Sequence, residues 1–561
     1  MENIIKTEKY TDRYEIKVIS GLEKCFMDQK ISDKKAIEKL SMLANERLSF
    51  QVVYVADTHY YRRCAFKCHI EVESPIKENI KMFTVEQVAV KMPVYKDQCD
   101  DDYLRKQPGL YPDLLLPFDE KQEIIFVQDE LRALFVTVEN QEGIEAGLYP
   151  IKFKMVYNDT ILCETEIEIE VIGKKLGELD MYHTEWFHTD CLASYYDCEV
   201  WSNKHWEIID NYMKEAVRSG VNLLLTPVFT PPLDTLVGGE RLTTQLVDVN
   251  LINGEYSFGY DRFDKWVGLC KKNGVKYYEI NHLFTQWGAE HAPKIVANVD
   301  GEMKKIFGWE TEAWGAEYSR FLECFLPDFI AHAKELGIDK DCFYHISDEP
   351  KDEHLENYKK ARSVVKDLLR GYTIIDALST YEIYEAGAVD RPIPANSKIE
   401  PFLEHNVPDL WVYYCCSQNV DVSNRFVAMP GQRIRIMGAQ MYKFDIKGFL
   451  HWGFNFYNSR YSIKLLNPYN ETCGEYFTPA GDCFLVYPAP NGTAYTSLHC
   501  QQFYMALEDH KALKLCESII GKEKTMALIE EGIEPMTFKK YPKTEEYILS
   551  MRERINNAIR G

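Results

Sequence analysis

Two adjacent carboxylates follow a short apolar run in the middle of this 561-residue chain. Asp348 and Glu349 follow the run at residues 343–346 after a single serine, and Pro350 comes next. Because charges are costly to bury without partners, two acids at the end of a core segment need a reason. One reason is chemical, since carboxyl groups serve as general acids and bases in catalysis. The other is structural, since acids in a strand-to-helix loop also cap the next helix and interact with its dipole.

The adjacency of the two acids restricts the chemistry. Ordinary glycosidases place two carboxyl groups about 5–10 Å apart, on opposite sides of the scissile bond. Neighbours on a strand point to opposite faces, and Pro350 favours an extended backbone at Glu349. An adjacent pair is better suited to a substrate-assisted reaction, in which the sugar's own 2-acetamido oxygen attacks the anomeric carbon. In that reaction we expect Glu349 to be the general acid/base and Asp348 to orient the acetamido group.

The segments around these acids read as repeated β/α units. Three helical patterns end at Gly220, Gly274 and Gly337, and each glycine precedes an apolar run of strand length. Such alternation indicates a parallel sheet covered by helices. The eight strands that we predict lie at residues 179–186, 221–225, 275–280, 342–346 and 373–377, just before Pro394, and at 411–415 and 447–452. Eight units favour a (β/α)₈ barrel of the TIM type over an open doubly wound sheet, for which no Gly-rich fingerprint is visible.

The two ends of the chain have different patterns. Residues 48–54 and 167–171 alternate apolar and polar side chains, which marks strands with one face in water. Short strands of this kind predict an antiparallel β-sandwich, whereas the apolar stripes after about residue 500 indicate helices. We therefore predict a multidomain chain: a β-sandwich over residues 1–175, a catalytic barrel over 176–500, and a helical C-terminal extension over 501–561 packed on the barrel.

The strand ends hold the remaining candidate residues, because a TIM-type barrel carries its active site at the carboxyl ends of its strands. These ends are rich in acids, histidines, aromatic residues and asparagine, which suit a sugar pocket. The substrate-binding residues that we predict are Glu185, His282, Trp287, Tyr413, Tyr414, Trp452 and Asn455. Only one of the two adjacent tyrosines is expected to face inward, since neighbours on a strand alternate.

Each of these residues also has a structural interpretation. His282 and Trp287 suit core packing equally well, Glu185 suits a salt bridge inside the barrel, and Trp452 and Asn455 suit packing at the barrel mouth. His183, Glu185 and His188 resemble a metal cluster, but residue 188 does not share a strand face with the other two. We therefore predict neither a metal nor a cofactor.

Composition excludes several classes of partner. A formal net charge of −22 argues against binding to nucleic acid or to an anionic membrane. We expect no transmembrane segment, because no apolar run reaches about 18 residues, and the N-terminus shows no secretory pattern. The 16 cysteines are scattered without paired metal-binding motifs, as in proteins of reducing compartments. We expect a cytoplasmic protein of unspecified oligomeric state.

Four stretches together resemble glycoside hydrolase family 123: TEWFHTDCLA at 184–193, HLFTQWG at 282–288, HISDEP at 345–350 and HWGFNFYN at 451–458. The resemblance covers nearly the whole chain. It implies an exo-acting β-N-acetylgalactosaminidase that retains anomeric configuration by substrate assistance, with the family's adjacent Asp and Glu at Asp348 and Glu349. The implied substrate is a glycan or glycolipid-derived oligosaccharide ending in an N-acetylhexosamine. The alternatives are a β-N-acetylglucosaminidase or other retaining glycosidase on the same scaffold, and a non-catalytic glycan-binding protein.

Overall fold

The computed structural model of the protein describes residues 13–57, 65–127, 129–140 and 143–561. Its internal contacts divide the chain into two compact units. The first unit comprises residues 1–179, 425–443 and 495–561, and the second comprises residues 180–424 and 444–494. The first twelve residues, on which the absence of a secretory pattern was predicted, lie outside the described ranges.

The N-terminal part of the first unit consists of strands. They are β1 (Arg13–Ser20), β2 (Lys39–Ala44), β3 (Arg47–Asp57), β4 (Ala65–Glu73), β5 (Ile80–Val90), β6 (Gly109–Phe118), β7 (Ile124–Val127), β8 (Arg132–Glu139), β9 (Gly147–Tyr157) and β10 (Thr160–Lys175). Two five-stranded sheets result, in the orders β1-β3-β8-β5-β6 and β2-β10-β9-β4-β7. Their apolar faces share one core, in which the rings of Phe50 and Phe153 lie 6.1 Å apart. This mostly β region agrees with the alternating pattern of the sequence.

The chain continues with alternating strands and helices, most of which belong to the second unit. In chain order they are β11 (Tyr182–Glu185), α1 (Thr189–Tyr195), α2 (Asn203–Arg218), β12 (Leu223–Thr226), β13 (Asp248–Ile252), β14 (Glu255–Gly259), α3 (Asp261–Asn273), β15 (Tyr277–Ile280), β16 (Ile295–Val299), β17 (Glu302–Phe307), α4 (Ala316–Glu335), β18 (Cys342–Tyr344), α5 (Leu355–Val365), β19 (Thr373–Ala377), α6 (Tyr381–Glu385), β20 (Arg391–Ile393), α7 (Glu400–Glu404), β21 (Trp411–Tyr413), α8 (Gly431–Arg435), α9 (Met437–Lys443) and β22 (Gly448–His451). The short strands β23 (Tyr487–Pro488) and β24 (Ala494–Tyr495) and the helices α10 (Leu498–Ile520), α11 (Lys522–Ile529) and α12 (Glu545–Arg560) complete the chain.

Eight of these strands form a parallel barrel that is nearly closed. Their order is β20-β19-β18-β15-β12-β11-β22-β21. A parallel bridge between Ala395 and Tyr413 joins the two ends of the sheet, where the Tyr413 amide donates to the carbonyl of Pro394 at 3.0 Å. All eight predicted strands are present, and Gly220, Gly274 and Gly337 have positive φ angles after their helices. The sequence did not predict the separate four-stranded sheet β14-β13-β16-β17, whose strands are only five or six residues long.

The C-terminal helices belong to the first unit. Helices α8 and α9 lie between two barrel strands in the chain, yet they group with the same unit because they contact α10. The division into residues 1–175, 176–500 and 501–561 therefore stays a prediction, since helical periodicity alone does not show which core a helix joins. Among the described residues, no helix combines the length and the apolar character of a membrane span.

The barrel interior predicts a stability contrast between two glycines. A Cβ atom added at Gly448 of β22 would lie 2.1 Å from the ring of the fully buried Trp411. We expect Gly448→Ala to lower the free energy of unfolding by about 3 kcal/mol, because a packed core cannot absorb the extra atom. A Cβ at the exposed Gly268 of α3 would meet nothing within 4 Å, so Gly268→Ala is expected to be neutral or to stabilise the helix by up to about 1 kcal/mol. Thermal unfolding of both variants checks the contrast; equal midpoints would contradict it.

Candidate active site

A cavity of about 160 Å³ lies at the carboxyl ends of the barrel strands. Every strand of the eight-stranded barrel except β20 contributes to this cavity, either with a terminal residue or with the loop that follows it. Five of the residues predicted from the sequence line this cavity: Trp287, Asp348, Glu349, Tyr413 and Trp452. The structure therefore brings the acid pair and three aromatic side chains to one place, as expected for a site that binds a sugar.

Backbone pairing fixes the segment that carries the two acids. The chain after β18 continues alongside the chain after β15: the amides of Leu283 and Phe284 donate to the carbonyls of His345 and Ile346 at 3.1 and 3.0 Å. The Trp287 amide then donates to the carbonyl of Asp348 at 3.1 Å. This pairing extends the sheet beyond its regular strands, so Trp287 and Asp348 are positioned together.

Glu349 departs from the conformation expected before a proline. Its φ angle is +44°, in the left-handed region that side chains other than glycine seldom adopt. The expectation of an extended backbone at this residue was wrong. A tertiary contact accompanies the strain: the hydroxyl of Tyr413 donates to Glu349 Oε1 at 2.6 Å and lies 3.3 Å from the hydroxyl of Ser379. Backbone strain of this kind occurs at functional sites, where the surrounding structure holds it.

The environment of the pair favours a retained proton. Burial, and next the charge of Glu349, raise the pKa of Asp348 well above its usual range. Burial and the Glu349 charge likewise raise the pKa of Tyr413, so this hydroxyl keeps its proton and remains a donor. The raised pKa favours the protonated form of Asp348.

A buried cation lies directly behind the pair. His345 Nδ1 is 2.9 Å from Asp376 Oδ1, and Nε2 is 2.6 Å from Glu279 Oε1. Burial alone would lower the pKa of His345, but the hydrogen bonds to the two carboxylates outweigh it and raise the pKa to about 9. The imidazole is therefore an imidazolium at neutral pH. We call Glu279, His345 and Asp376 the buried ion network.

Other side chains hold the two carboxylates of this network. The Trp186 indole donates to Glu279 Oε1 at 2.7 Å, and Thr184 donates to Glu279 Oε2. Tyr358 and the Ile346 amide both donate to Asp376 Oδ2. The bonds from Thr184, Tyr358 and the Ile346 amide satisfy the oxygen atoms that do not face His345, which a buried charge requires.

Comparison with known protein families decides the identity of the chain. The family model described as "Glycoside hydrolase 123, catalytic domain" matches residues 186–516, which is more than half of the sequence. The chain belongs to glycoside hydrolase family 123. It is therefore a glycoside hydrolase, which replaces the alternative of a non-catalytic glycan-binding protein.

Solved structures support the same fold. A family 123 glycoside hydrolase from Clostridium perfringens, studied for glycolipid glycan hydrolysis, superimposes with a TM-score of 0.72 over 97% of both chains at 13% identity. An FMN-binding β-glucuronidase from Faecalibacterium prausnitzii L2-6 matches 81% of this chain and 60% of its own, with a TM-score of only 0.32 at 11% identity. A search of curated proteins finds no match.

Four of the predicted substrate-binding residues lie outside the lining of the family 123 cavity. Tyr414 is buried on the other face of β21, where its ring packs against Phe449 and His451. Asn455 is fully buried and clamps the backbone of His188, accepting from its amide at 2.9 Å and donating to its carbonyl at 3.1 Å. Each of these two side chains supports residues of the site from behind.

The other two lie deeper in the barrel. Glu185 is fully buried beside His183 and His451, at 3.3 and 3.7 Å. His282 is also fully buried and stacks on His345 with a centroid distance of 4.2 Å. Burial and the neighbouring imidazolium lower the pKa of His282 well below its usual range, so it stays neutral. Their predicted contacts with substrate would need a different conformation.

Three donors in this region have the spacing of metal ligands. His282, His345 and Asp376 offer ligand atoms within 4.8 Å of one another, and histidine and carboxylate groups are usual zinc ligands. Both ring nitrogens of His345, however, already face carboxylate oxygens at hydrogen-bond distance. That arrangement holds a proton rather than a metal ion.

Sequence reasoning missed Asp234, which lines the same cavity from the loop after β12. Burial, partly offset by Arg241, raises its pKa to about 6. Within the described part of the chain, its Oδ2 atom has no hydrogen-bond partner. Arg241 forms a two-point ion pair with Asp190 and donates to the carbonyl of Leu233 at 2.8 Å, which fixes the loop. The Pro231-Pro232 pair marked a loop, but no pattern indicated that its acid faces the site.

The raised pKa of His345 predicts a pH-dependent contribution to stability. Because its pKa is about 9 in the folded protein against 6.5 ordinarily, this contribution is complete below pH 6.5 and is lost as the pH rises through 9. Asp376→Asn removes one carboxylate and lowers that pKa. We expect the variant's deficit in unfolding free energy to be larger at pH 6.5 than at pH 9, by about 1–2 kcal/mol.

Chemical denaturation of both proteins at the two pH values measures this difference. Groups elsewhere, such as Lys24 with its pKa lowered to about 7 by burial, titrate alike in both proteins and cancel. A deficit that is equal at both pH values would show that His345 is not held as a cation.

Proposed function

We propose that this family 123 enzyme removes terminal β-linked N-acetylgalactosamine from glycans by a substrate-assisted, retaining mechanism. The observation that carries the proposal is the convergence of the adjacent Asp348 and Glu349 on one small cavity. In substrate assistance the nucleophile belongs to the sugar, so the enzyme needs no carboxylate on the opposite side of the scissile bond. The scaffold that we propose is a TIM-type (β/α)₈ barrel with an N-terminal β-sandwich.

The proposed roles follow from how the substrate moves the proton that Asp348 favours. The acetamido N–H would donate a hydrogen bond to Asp348 and thereby favour its ionised form. The proton then passes to Glu349, which donates it to the leaving oxygen. Ionised Asp348 stabilises the positive charge that develops as the acetamido oxygen attacks. Glu349, now a carboxylate, takes a proton from water when the intermediate opens.

Tyr413 stabilises Glu349 in the carboxylate form, in which it acts as the general base. Its hydroxyl already donates to Glu349 Oε1 at 2.6 Å, which leaves the other carboxyl oxygen for the leaving group. A donor to one oxygen stabilises the carboxylate that forms after proton transfer. The tyrosine that faces the cavity is thus Tyr413, and it acts on the acid rather than on the acetamido oxygen in this geometry.

Aromatic side chains supply the remaining surface for a sugar. Trp186, Trp287, Trp452 and Phe477 line the cavity, and their rings suit the apolar face of a pyranose. The indole of Trp452 donates to Asp482 Oδ2 at 3.1 Å, so its ring is fixed. A cavity of this size suits one terminal sugar, which favours an exo-acting enzyme.

We propose oligosaccharides derived from glycolipids as the substrates, because the Clostridium perfringens family member was studied for glycolipid glycan hydrolysis. A β-N-acetylglucosaminidase is the nearest alternative, since the two sugars differ only in the orientation of one hydroxyl. The proposed cytoplasmic location is supported by the fifteen cysteines of the described residues, none of which forms a disulfide.

Asp234 favours a second candidate mechanism. It is a third carboxyl group in the same cavity, with one oxygen atom that has no partner among the described residues. A conventional retaining glycosidase needs such a group as its nucleophile. In the substrate-assisted mechanism the same oxygen instead accepts a hydrogen bond from a sugar hydroxyl.

Substitution of each acid separates the two catalytic roles. We expect Glu349→Gln to lose about 10²–10⁴-fold in kcat/KM on substrates whose leaving group needs a proton, but far less on aryl glycosides with acidic leaving groups. Asp348→Asn is expected to lose about 10²–10³-fold on both classes, because it no longer stabilises the developing charge. The exposed acids of the next loop provide matched controls, Glu353→Gln and Asp352→Asn. The measurement is hydrolysis of β-GalNAc, β-GlcNAc, β-Gal and β-Glc chromogenic substrates.

The same panel tests the proposed sugar and mechanism. Activity on β-GalNAc, with strong inhibition by the thiazoline analogue of that sugar, is the expected result. Activity confined to sugars without an acetamido group, with no thiazoline inhibition, would sink the proposal. Covalent labelling of Asp234 by a 2-fluoro sugar would instead establish the conventional mechanism.

The two tyrosines of β21 provide a further prediction. Tyr413→Phe removes the donor to Glu349, and one charge-assisted hydrogen bond is worth about 1.5–3 kcal/mol, so kcat/KM should fall by about 10- to 100-fold. Tyr414→Phe loses the same atom on the opposite face of the strand and should leave kcat/KM nearly unchanged. Steady-state kinetics of both variants measure this difference. Equal losses in kcat/KM would show that the Tyr413 hydroxyl has no specific role in the mechanism.

A further inference from the structure

Two neighbouring thiols lie in the active-site cavity. Cys415 and Cys416 follow β21 and line the same cavity as Glu349 and Tyr413. Both residues are half-buried, and neither forms a disulfide. The mechanism proposed above uses neither thiol, so the pair calls for a separate account.

A turn fixes the backbone around the two neighbouring cysteines. The Gln418 amide donates to the carbonyl of Cys415 at 3.1 Å, and the Cys415 amide donates to Gln418 Oε1 at 2.9 Å. Asn424 donates to the same carbonyl at 2.8 Å. With the backbone held at both ends of the turn, the two consecutive cysteines both line the wall of the cavity.

The protonation state of the Cys415 thiol determines which reagents react with it. The hydrogen bond to Cys416, then burial and the charges of Cys416 and Glu349, raise the pKa of the Cys415 thiol well above its usual value. Reagents that need a thiolate, such as simple alkylating agents, are therefore expected to react slowly. An electrophile that bonds to two sulfur atoms is instead favoured, because it can bond to both neighbouring thiols at once.

We propose that Cys415 and Cys416 form a dithiol site that captures a trivalent organoarsenical inside the catalytic cavity. An arsenic(III) oxide R–As=O reacts with the two thiols to form two As–S bonds. The oxygen leaves as water with both thiol protons, and the oxidation state of arsenic does not change. The adduct occupies the space beside Glu349 and Tyr413, where a sugar would bind. This inference rests on the cavity alone and not on the identity of the sugar.

The first unit contains a second close cysteine pair that serves as a control. Cys68 and Cys163 lie near enough for their charges to interact, but Cys68 is only 1% exposed. The thiol of Cys163 contacts the sulfur of Met155 at 3.3 Å. This pair has the same chemistry without an open cavity.

The test is titration of the full-length protein with phenylarsine oxide, read by intact mass spectrometry. We expect one phenylarsenic group per chain at low reagent concentration, with removal by a dithiol such as dimercaptopropanol. Cys415→Ser and Cys416→Ser should each raise the concentration needed for capture by about 100-fold or more, because the second bond is no longer intramolecular. Cys163→Ser should behave as the wild type.

Peptide mapping locates the adduct independently of folding effects. The tryptic peptide of residues 399–425 contains Cys415 and Cys416 and no other cysteine. When the protein is denatured before alkylation, protection of this peptide by phenylarsine oxide, in the wild type and in Cys163→Ser, is the supporting result. Capture that persists in both Cys415→Ser and Cys416→Ser, or that maps to another peptide, would overturn the inference.

Discussion

The catalytic unit depends on a single buried cation. His345 lies between Glu279 and Asp376, with no solvent exposure at any of the three side chains. Without the imidazolium, the barrel would hold these two carboxylates next to Asp348 and Glu349, and four like charges in a low-dielectric interior are strongly unfavourable. With it, the network is satisfied internally, and the residual repulsion falls on Asp348. Burial and the charge of Glu349 raise the pKa of Asp348, and the imidazolium partly offsets them, whereas burial and the imidazolium together lower the pKa of His282.

The order of the barrel strands makes the network possible. Glu279 lies in β15, His345 follows β18 and Asp376 lies in β19, and these three strands are successive neighbours in the sheet. Glu279 pairs with Phe343, and Phe343 pairs with Thr373, so Glu279, His345 and Asp376 are staggered in register. The tilt of the strands in a barrel brings such staggered side chains together. Tyr413 reaches the site from β21, beside the bridge that joins the ends of the sheet. Closure of the barrel therefore positions the donor to Glu349, while its interior positions the cation.

Much of this architecture was predictable from local patterns. The eight parallel strands, the acid pair and the cavity positions of Trp287 and Trp452 follow from apolar runs and from the rule that barrel strands end at the active site, whereas the choice between Tyr413 and Tyr414 stayed open. Periodicity alone did not distinguish buried from exposed side chains within one segment. His282 and Trp287 stand in one segment, yet the first is buried under the cavity and the second is 39% exposed. Asp234 follows its strand after a proline-containing loop, and the path of such a loop depends on tertiary contacts, here with Arg241. The grouping of the C-terminal helices likewise depends on which core offers an apolar surface.

The conformation of Glu349 resolves an apparent conflict between strand geometry and adjacent catalytic acids. In a regular strand, neighbouring side chains point to opposite faces, so Asp348 and Glu349 would not reach one cavity. The regular strand ends at Tyr344, before the pair, and Glu349 adopts a left-handed backbone that breaks the alternation. Two contacts hold this strained segment: the amide of Trp287 fixes the carbonyl of Asp348, and the hydroxyl of Tyr413 fixes the carboxyl of Glu349. Adjacency in sequence thus becomes convergence in space only because neighbouring strands constrain the turn. The convergence of the two acids on one cavity consequently depends on the closed barrel and not on their own segment alone.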